Sequence, residues 1–145
     1  MIANKFDKSY PSNLQTTLKS KGGVSYNFIS KNYLNKVTPY DTTVRSIYKD
    51  DFYVRTWVLP SLAPAVCEDY SIFNVLVLKF GQYQMEKGKE HSKWAISKNK
   101  NEVCFADLNH CPSQAYRGGH IICFENQILH KIMLDAIQST DNCSE

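Results

Sequence analysis

Residues 91–111 read HSKWAISKNKNEVCFADLNHC, and they hold two short apolar segments separated by a polar one. The first segment is KWAIS at residues 93–97, and the second is EVCFADL at residues 102–108. The KNKN sequence between them is polar and short, as the connection of a β-hairpin is. This stretch therefore predicts two adjacent antiparallel strands, with His91 at the start of the first.

Apolar runs on both sides of this hairpin predict further strands. The run at residues 71–80 is almost continuously apolar, which favours a central strand buried on both faces. Three other segments are short and rich in β-branched or aromatic residues, and Pro and Gly separate several of them. The predicted additional strands are 44–48 (VRSIY), 51–59 (DFYVRTWVL), 71–80 (SIFNVLVLKF) and 120–124 (HIICF).

Residues 126–138 (NQILHKIMLDAIQ) have the spacing of an amphipathic helix. Apolar residues recur along one stripe, so we expect Ile128, Ile132 and Ile137 to be buried. Because this helix follows the strands, the predicted fold class is α+β: an antiparallel sheet with a C-terminal amphipathic helix packed on one face.

Composition indicates one globular domain. The chain has 145 residues, 43% of them hydrophobic, which is enough for a single core. Its five cysteines are an odd number without a CxxC pair, so reduced thiols are expected. The N-terminus has no apolar signal segment and no apolar run is long enough to cross a bilayer. A cytoplasmic protein without a membrane span is therefore expected.

Basic charge is concentrated in residues 1–40, which hold six lysines and one aspartate. We predict a basic, partly ordered N-terminal segment there and a single domain at residues 41–145. Lysines interleaved with aromatic residues can follow a phosphate backbone and stack bases, so the segment can bind single-stranded RNA. The alternative is a solvated segment whose aromatic residues dock on the core. The candidate RNA-binding residues are Lys19, Lys21, Lys31, Lys36, Tyr26 and Tyr33.

Several cysteines and histidines lie close together in the sequence, so a zinc site is an alternative. Only His120 and Cys123 have the spacing of paired ligands, and on a strand they would point to opposite faces. We therefore predict no metal site and expect Cys104 and Cys123 to be small core residues. The candidates were Cys104, His110, Cys111, His120, Cys123 and His130.

Two short motifs resemble a known family. Residues 91–97 (HSKWAIS) are similar to the H-box, which reads roughly His-Trp-Ala-Ile-Tyr on a strand, and residues 142–145 (NCSE) are similar to the NC box. Both occur, in this order, in the H-box/NC family of permuted papain-like (NlpC/P60-like) proteins. That family includes lecithin retinol acyltransferase and the 2A proteins of some picornaviruses, such as parechoviruses.

The resemblance implies a fold, a site and a location. The family's thiol chemistry would use Cys143 as nucleophile and His91 as base. However, Lys93 stands where the family has its histidine, and His91 lies two residues, roughly 6–7 Å, away. We therefore expect no functional His91–Cys143 pair, and a 2A-like protein without catalytic activity that binds RNA, host proteins or both in the host cytoplasm, without a cofactor. Two alternatives remain open: an active thiol acyltransferase or phospholipase, and an unrelated nucleic-acid-binding module.

Overall fold

The computed structural model describes residues 13–57 and 61–143, except for the side chains of residues 42 and 43. Nine strands and two α-helices make up most of it. The strands are β1 (Asn13–Lys19), β2 (Ser25–Lys31), β3 (Phe52–Arg55), β4 (Ile72–Phe80), β5 (Tyr83–Glu86), β6 (Trp94–Ser97), β7 (Glu102–Ala106), β8 (Gly119–Glu125) and β9 (Ile137–Thr140). The α-helices are α1 (Arg45–Tyr48) and α2 (Gln127–Ala136); a π-helix (Pro39–Val44) precedes α1, and a 3-10 helix (Pro112–Tyr116) precedes β8.

The strands form one mixed sheet in the order β1-β2-β8-β7-β6-β3-β4-β5, with β9 also paired to β4. The pairs are antiparallel except for β3 and β4, which run parallel. An α+β architecture with a mostly antiparallel sheet is therefore confirmed. This strand order lends no support to the permuted papain-like arrangement.

One face of the sheet packs against the π-helix and α1. This layer contributes aromatic and β-branched residues such as Tyr40, Val44 and Tyr48. They pack on strand residues that alternate along β3, β6, β7 and β8, because successive strand side chains point to opposite faces of the sheet. The strand residues of this first core are Ile29, Phe52, Val54, Ile72, Ala95, Cys104, Ile121 and Cys123.

The other face packs against α2. Met133 and Ala136 of the helix contact a second core formed by strand residues that point the opposite way. Trp94 and Ile96 belong to this core, whereas Ala95 between them belongs to the first. The remaining strand members are Val75, Leu78 and Val103.

The predicted helix exists, but its predicted buried face is wrong. Ile128 is 77% exposed and Ile132 is 52% exposed, whereas Met133 is 7% exposed. The helix is turned so that His130 faces the sheet, where its Nε2 donates to the Ser97 carbonyl oxygen at 2.6 Å. A buried, hydrogen-bonded histidine therefore lies on the face of α2 that contacts the sheet, where a purely apolar stripe predicts no polar residue.

Several predicted strands are confirmed. The predicted runs at 71–80, 93–97 and 102–108 contain β4, β6 and β7, the run at 120–124 lies within β8, and the run at 51–59 contains the shorter β3. The strand predicted at 44–48 is wrong, because those residues end the π-helix and form α1. The β1–β2 hairpin was not predicted; it joins the main sheet through β2 and β8, so residues 13–31 are continuous with it.

Four of the five cysteines form disulfides. Cys67 bonds to Cys143, and Cys104 bonds to Cys123 across β7 and β8, while Cys111 is a buried free thiol. Cys104 and Cys123 do lie in the core, but the expectation of reduced thiols is wrong. Pairing depends on β7 and β8 placing the two residues opposite each other, which cysteine spacing alone does not reveal.

Within the described ranges, no helix is long and apolar enough to cross a membrane.

Candidate functional site

Several polar loops meet at one end of the sheet. Here β3 ends at Arg55, β6 begins at Trp94 and β7 ends at Ala106, three strands that are neighbours in the sheet. The register places Arg55 opposite Trp94, and the Ala106 amide donates to the Lys93 carbonyl oxygen at 3.0 Å. The segment that carries His91 therefore leads directly into the centre of the sheet.

His91 is exposed and its ring stacks on Trp57, with ring centroids 3.9 Å apart and planes 22° apart. In residues 13–57 and 61–143, no group bonds to either ring nitrogen. Lys93 is half-buried, and its Nζ donates to the His91 carbonyl oxygen at 3.0 Å. A free imidazole and an ammonium group thus lie on one short segment.

A buried ion pair holds this segment in place. Arg55 is fully buried, and its Nε donates to Glu90 Oε1 at 2.6 Å. The other Glu90 oxygen accepts from the Ser92 amide at 2.7 Å. Burial raises the pKa of Glu90, but the hydrogen bonds from Ser92 and Arg55 outweigh it, so that pKa lies below the ordinary value. A charged Glu90 therefore fixes the backbone on both sides of His91.

The other nitrogens of the Arg55 guanidinium lie where β4 stops pairing with β3 and starts pairing with β5. The guanidinium donates to carbonyl oxygens on β4 and β5, and so links both strands to the end of β3. These bonds go to Val75 at 3.0 Å, Leu76 at 2.9 Å, Met85 at 3.4 Å and Glu86 at 2.9 Å.

A second buried network supports the loop that carries Trp57. His110 is fully buried between Asn74, whose Oδ1 lies 2.7 Å from Nδ1, and Asp41, whose Oδ1 lies 2.6 Å from Nε2. The His110 amide donates to Thr56 Oγ1 at 3.1 Å, directly before Trp57. The network therefore links the π-helix and β4 to the platform on which His91 stacks.

The Asn74 amide completes this network. Its Nδ2 donates to the Ala63 carbonyl oxygen at 2.9 Å and to Asp141 Oδ2 at 2.6 Å, so its Oδ1 is the atom that accepts from His110. The His110 ring thus bonds to Asn74 through Nδ1 and to the Asp41 carboxylate through Nε2.

Asp41 should make the stability of the protein depend on pH in the acid range. Burial raises the pKa of Asp41, but hydrogen bonds from His110 and Thr38 outweigh it and hold that pKa below its ordinary value. A carboxyl group whose pKa is lowered by folding stabilises the fold at pH values above its unfolded-state pKa. That stabilisation is lost as the pH falls through the folded-state pKa. We expect Asp41→Asn to lower the free energy of unfolding by about 1.5–3 kcal/mol near pH 6.

The stability difference between Asp41→Asn and the unaltered protein should shrink below about pH 4, as measured by urea unfolding. Asp135→Asn is the matched control, because Asp135 is exposed on α2 and forms a surface ion pair with Lys131. A difference that stays constant down to about pH 2.5 would contradict a charged Asp41.

Next to His110 lies a buried acceptor without a partner. Asn109 is 4% exposed, and its Oδ1 has no hydrogen bond in the described part of the chain. Its backbone amide donates to Gln114 Oε1 at 2.6 Å. Unsatisfied buried polar atoms are rare in folded proteins, and a bound water is one group that can satisfy them.

The predicted RNA-binding residues lie elsewhere. β2 is three strands from β6 in the sheet, or roughly 14 Å away at the usual strand spacing. Lys19, Lys21 and Lys36 are exposed, as is Tyr33 at 60%. These positions do not converge on His91, and their role in binding RNA stays a prediction.

Two of those residues are occupied within the fold. Lys31 is 5% exposed, and its Nζ donates to the carbonyl oxygens of Ala115, at 2.8 Å, and Arg117. Burial lowers the pKa of Lys31 against the opposing effect of Asp107. Tyr26 packs against Phe124 with ring centroids 5.3 Å apart.

Cys143 is not a free thiol here, because its sulfur is bonded to that of Cys67. It therefore provides no thiolate for His91 to activate. Within the described residues, no group of three or more His, Cys, Asp or Glu could hold a metal ion.

Sequence reasoning missed four residues that shape the site. It treated Lys93 as the residue that stands in the place of the H-box histidine, and did not consider it together with His91. Nothing local marked Arg55, Trp57 or Glu90, because their contacts join separate segments.

A sequence model of the family described as Deoxyribonuclease II matches residues 1–143. Plancitoxin-1 of Acanthaster planci is 30% identical over 99% of this chain and 42% of its own length. Deoxyribonuclease-2 of Caenorhabditis elegans is 30% identical over 99% of this chain and 39% of its own. A putative deoxyribonuclease-2 of Burkholderia thailandensis is 30% identical over 81% and 35%.

These matches overturn the expected H-box/NC assignment. The predicted viral 2A-like function, the acyltransferase alternative and the unrelated nucleic-acid-binding module are wrong, and so is the host cytoplasm as location. The two H-box/NC motifs misled because each spans only a few residues, whereas the family match covers nearly the whole chain. The chain spans 35–42% of the length of these three relatives.

Proposed function

The chain belongs to the deoxyribonuclease II family, and we propose that it contributes a site for phosphodiester hydrolysis in DNA around His91 and Lys93. The observation that carries this proposal is the free His91 ring, stacked on Trp57 and next to Lys93 on a segment that Arg55 and Glu90 hold.

The chemistry suits these two side chains. Cleaving a phosphodiester requires a group that attacks phosphorus or transfers a proton, together with a cation that offsets the charge on the phosphoryl oxygens. Near neutral pH an imidazole can attack phosphorus or transfer a proton. The ammonium group of Lys93 supplies the cation. His91 and Lys93 are two residues apart, which places their Cα atoms at most about 7 Å from each other. A phosphate group can therefore contact both.

The fixed backbone is part of the proposal. A catalytic group is most effective when its position is set before the substrate binds. The ion pair of Arg55 with Glu90 and the stacking of Trp57 position His91 from two sides. His91 is the proposed reacting residue, Lys93 the proposed phosphate ligand, and Arg55, Glu90 and Trp57 the positioning residues.

Two further parts of the proposal concern partner and location. Exposed Lys19, Lys21 and Lys36 are proposed as additional, weaker contacts to nucleic-acid phosphates outside the site. The two disulfides support a secreted protein or one in another oxidising compartment, where such bonds persist.

Replacing Lys93 tests the proposed phosphate contact. We expect Lys93→Ala to lower the rate constant for DNA cleavage about 100-fold, because one fixed cationic donor to the transition state is lost. Fluorogenic oligonucleotide cleavage by the purified protein measures this effect. Lys98→Ala is the matched control, since Lys98 lies on the other end of β6 and pairs with Asp51 at 3.3 Å. Equal activity of the two variants would exclude Lys93 from the site.

A further inference from the structure

The β4–β5 hairpin, residues 79–89, leads into the segment that carries His91. We propose that this hairpin binds single-stranded DNA, with Phe80 and Tyr83 stacking unpaired bases. The inference rests on the proposed function and deepens it, because it specifies the form of DNA that reaches His91.

The two aromatic side chains share one face of the hairpin. Phe80 and Tyr83 are directly opposite in the antiparallel register, so their side chains project to the same side. Phe80 is 42% exposed and Tyr83 is 69% exposed. The next pair inward on that face, Leu78 and Met85, packs into the α2 core. The apolar face of the sheet thus continues past its core and ends in two uncovered rings.

Charge around the hairpin identifies the occupant as a polyanion. Residues 79–89 contain Lys79, Lys87, Lys89 and one acid, Glu86, a balance of +2. All three lysines are exposed, and in the described ranges none forms an ion pair. The next acid, Glu90, is neutralised by Arg55 at 2.6 Å. Exposed rings beside unpaired lysines are the combination that binds single-stranded nucleic acids.

The hairpin is continuous with the His91 site. The Arg55 guanidinium bonds to the Glu86 carbonyl oxygen at 2.9 Å and to Glu90 Oε1 at 2.6 Å. Tyr83 lies three residues before Glu86, or roughly 10 Å along β5. That length is on the order of three base steps at 3.4 Å per base. A DNA strand that places one phosphate at His91 can therefore place nearby bases on the rings.

Duplex DNA fits this surface less well. Its bases are already stacked and paired, so it would contact the lysines and offer no base face to Phe80 or Tyr83. The rings should therefore affect the affinity for single strands and leave the affinity for duplexes nearly unchanged. This selectivity separates base stacking from a general attraction to phosphate.

The test compares the affinities of Tyr83→Ala and Phe80→Ala for a single-stranded oligonucleotide and for the same sequence as a duplex. Phosphorothioate linkages prevent cleavage, and fluorescence anisotropy measures the dissociation constant. We expect each variant to bind the single strand about 10-fold more weakly, with duplex affinity changed less than about 2-fold. Tyr83→Phe should keep the affinity for the single strand.

Tyr116→Ala is the matched control, because Tyr116 is a 62% exposed tyrosine on the loop between β7 and β8. If Tyr83→Ala weakens single-strand and duplex binding equally, or has no more effect than Tyr116→Ala, the proposal is overturned. If single-strand binding depends on Tyr83 while the protein cleaves no DNA, the hairpin stands and the proposed hydrolysis fails. If cleavage depends on His91 but no affinity depends on Tyr83 or Phe80, the hairpin proposal alone fails.

Discussion

Replacing His91 with alanine is expected to lower the rate constant for DNA cleavage about 1,000-fold or more. In the proposed site this imidazole is the group that reacts with the phosphodiester, and a positioned acid, base or nucleophile contributes roughly 100- to 10,000-fold. Lys93 and the positioned phosphate would remain, so some activity should persist. Single-turnover cleavage of a labelled oligonucleotide measures the chemical step without product release.

His120→Ala is the matched control for this experiment. His120 is also partly exposed, but its ring nitrogen pairs with Asp107 at 3.1 Å and its ring stacks on Phe28. It should retain activity within a few-fold of the unaltered protein. Since the His91 side chain is exposed, His91→Ala should unfold at nearly the same temperature as the unaltered protein. Cleavage by His91→Ala at more than about a tenth of the original rate would remove His91 from the chemistry.

Arg55→Met should have the largest effect on stability, lowering the free energy of unfolding by about 3–5 kcal/mol. The substitution keeps an unbranched side chain but leaves the Glu90 carboxylate without its cationic partner and removes the guanidinium bonds to carbonyl oxygens of β4 and β5. Such uncompensated groups cost more than the lost attraction itself. Urea unfolding of the purified variant measures the change, and cleavage activity should fall as well because the His91 segment loses its anchor.

Glu90→Gln tests how the ion pair positions the His91 segment, separately from its effect on the stability of the fold. The glutamine removes the charge but leaves the carbonyl oxygens bonded to Arg55, so we expect a loss of stability of about 1–2 kcal/mol and a larger fall in activity. Arg117→Ala is the control, because Arg117 is exposed and its substitution should change stability by less than about 0.5 kcal/mol. If Arg55→Met were as stable as Arg117→Ala, the ion pair would not hold the segment.

The strands were predictable wherever their signal was local. The apolar run of β4 predicts a strand from its own residues alone. The short apolar segments of β6, β7 and β8 do the same. β1 and β2 were missed because their alternation is largely between polar residues, and β1 is exposed throughout. Residues 44–48 were misassigned because their β-branched and aromatic composition is shared by strands and by helices packed on a sheet.

The orientation of α2 required the tertiary structure. Its sequence offers two stripes of apolar residues, one through Ile128 and Ile132 and one through Leu129, Met133 and Ala136. Periodicity identifies both, but only contact with the sheet selects between them. The second stripe is buried in the core on that face, and this orientation also brings His130 to the Ser97 carbonyl oxygen.

By itself the sequence determined that the fold is α+β, where most of its central strands lie, and that His91 stands beside one of them. Those properties follow from the order of residues over a few positions. The tertiary structure decided which partners surround His91: Trp57 lies 34 residues before it, and Arg55 reaches Glu90 across 35 residues. It also paired Cys67 with Cys143 across 76 residues. These contacts exist only once the chain is folded, because they are made between segments whose separation in sequence carries no local pattern.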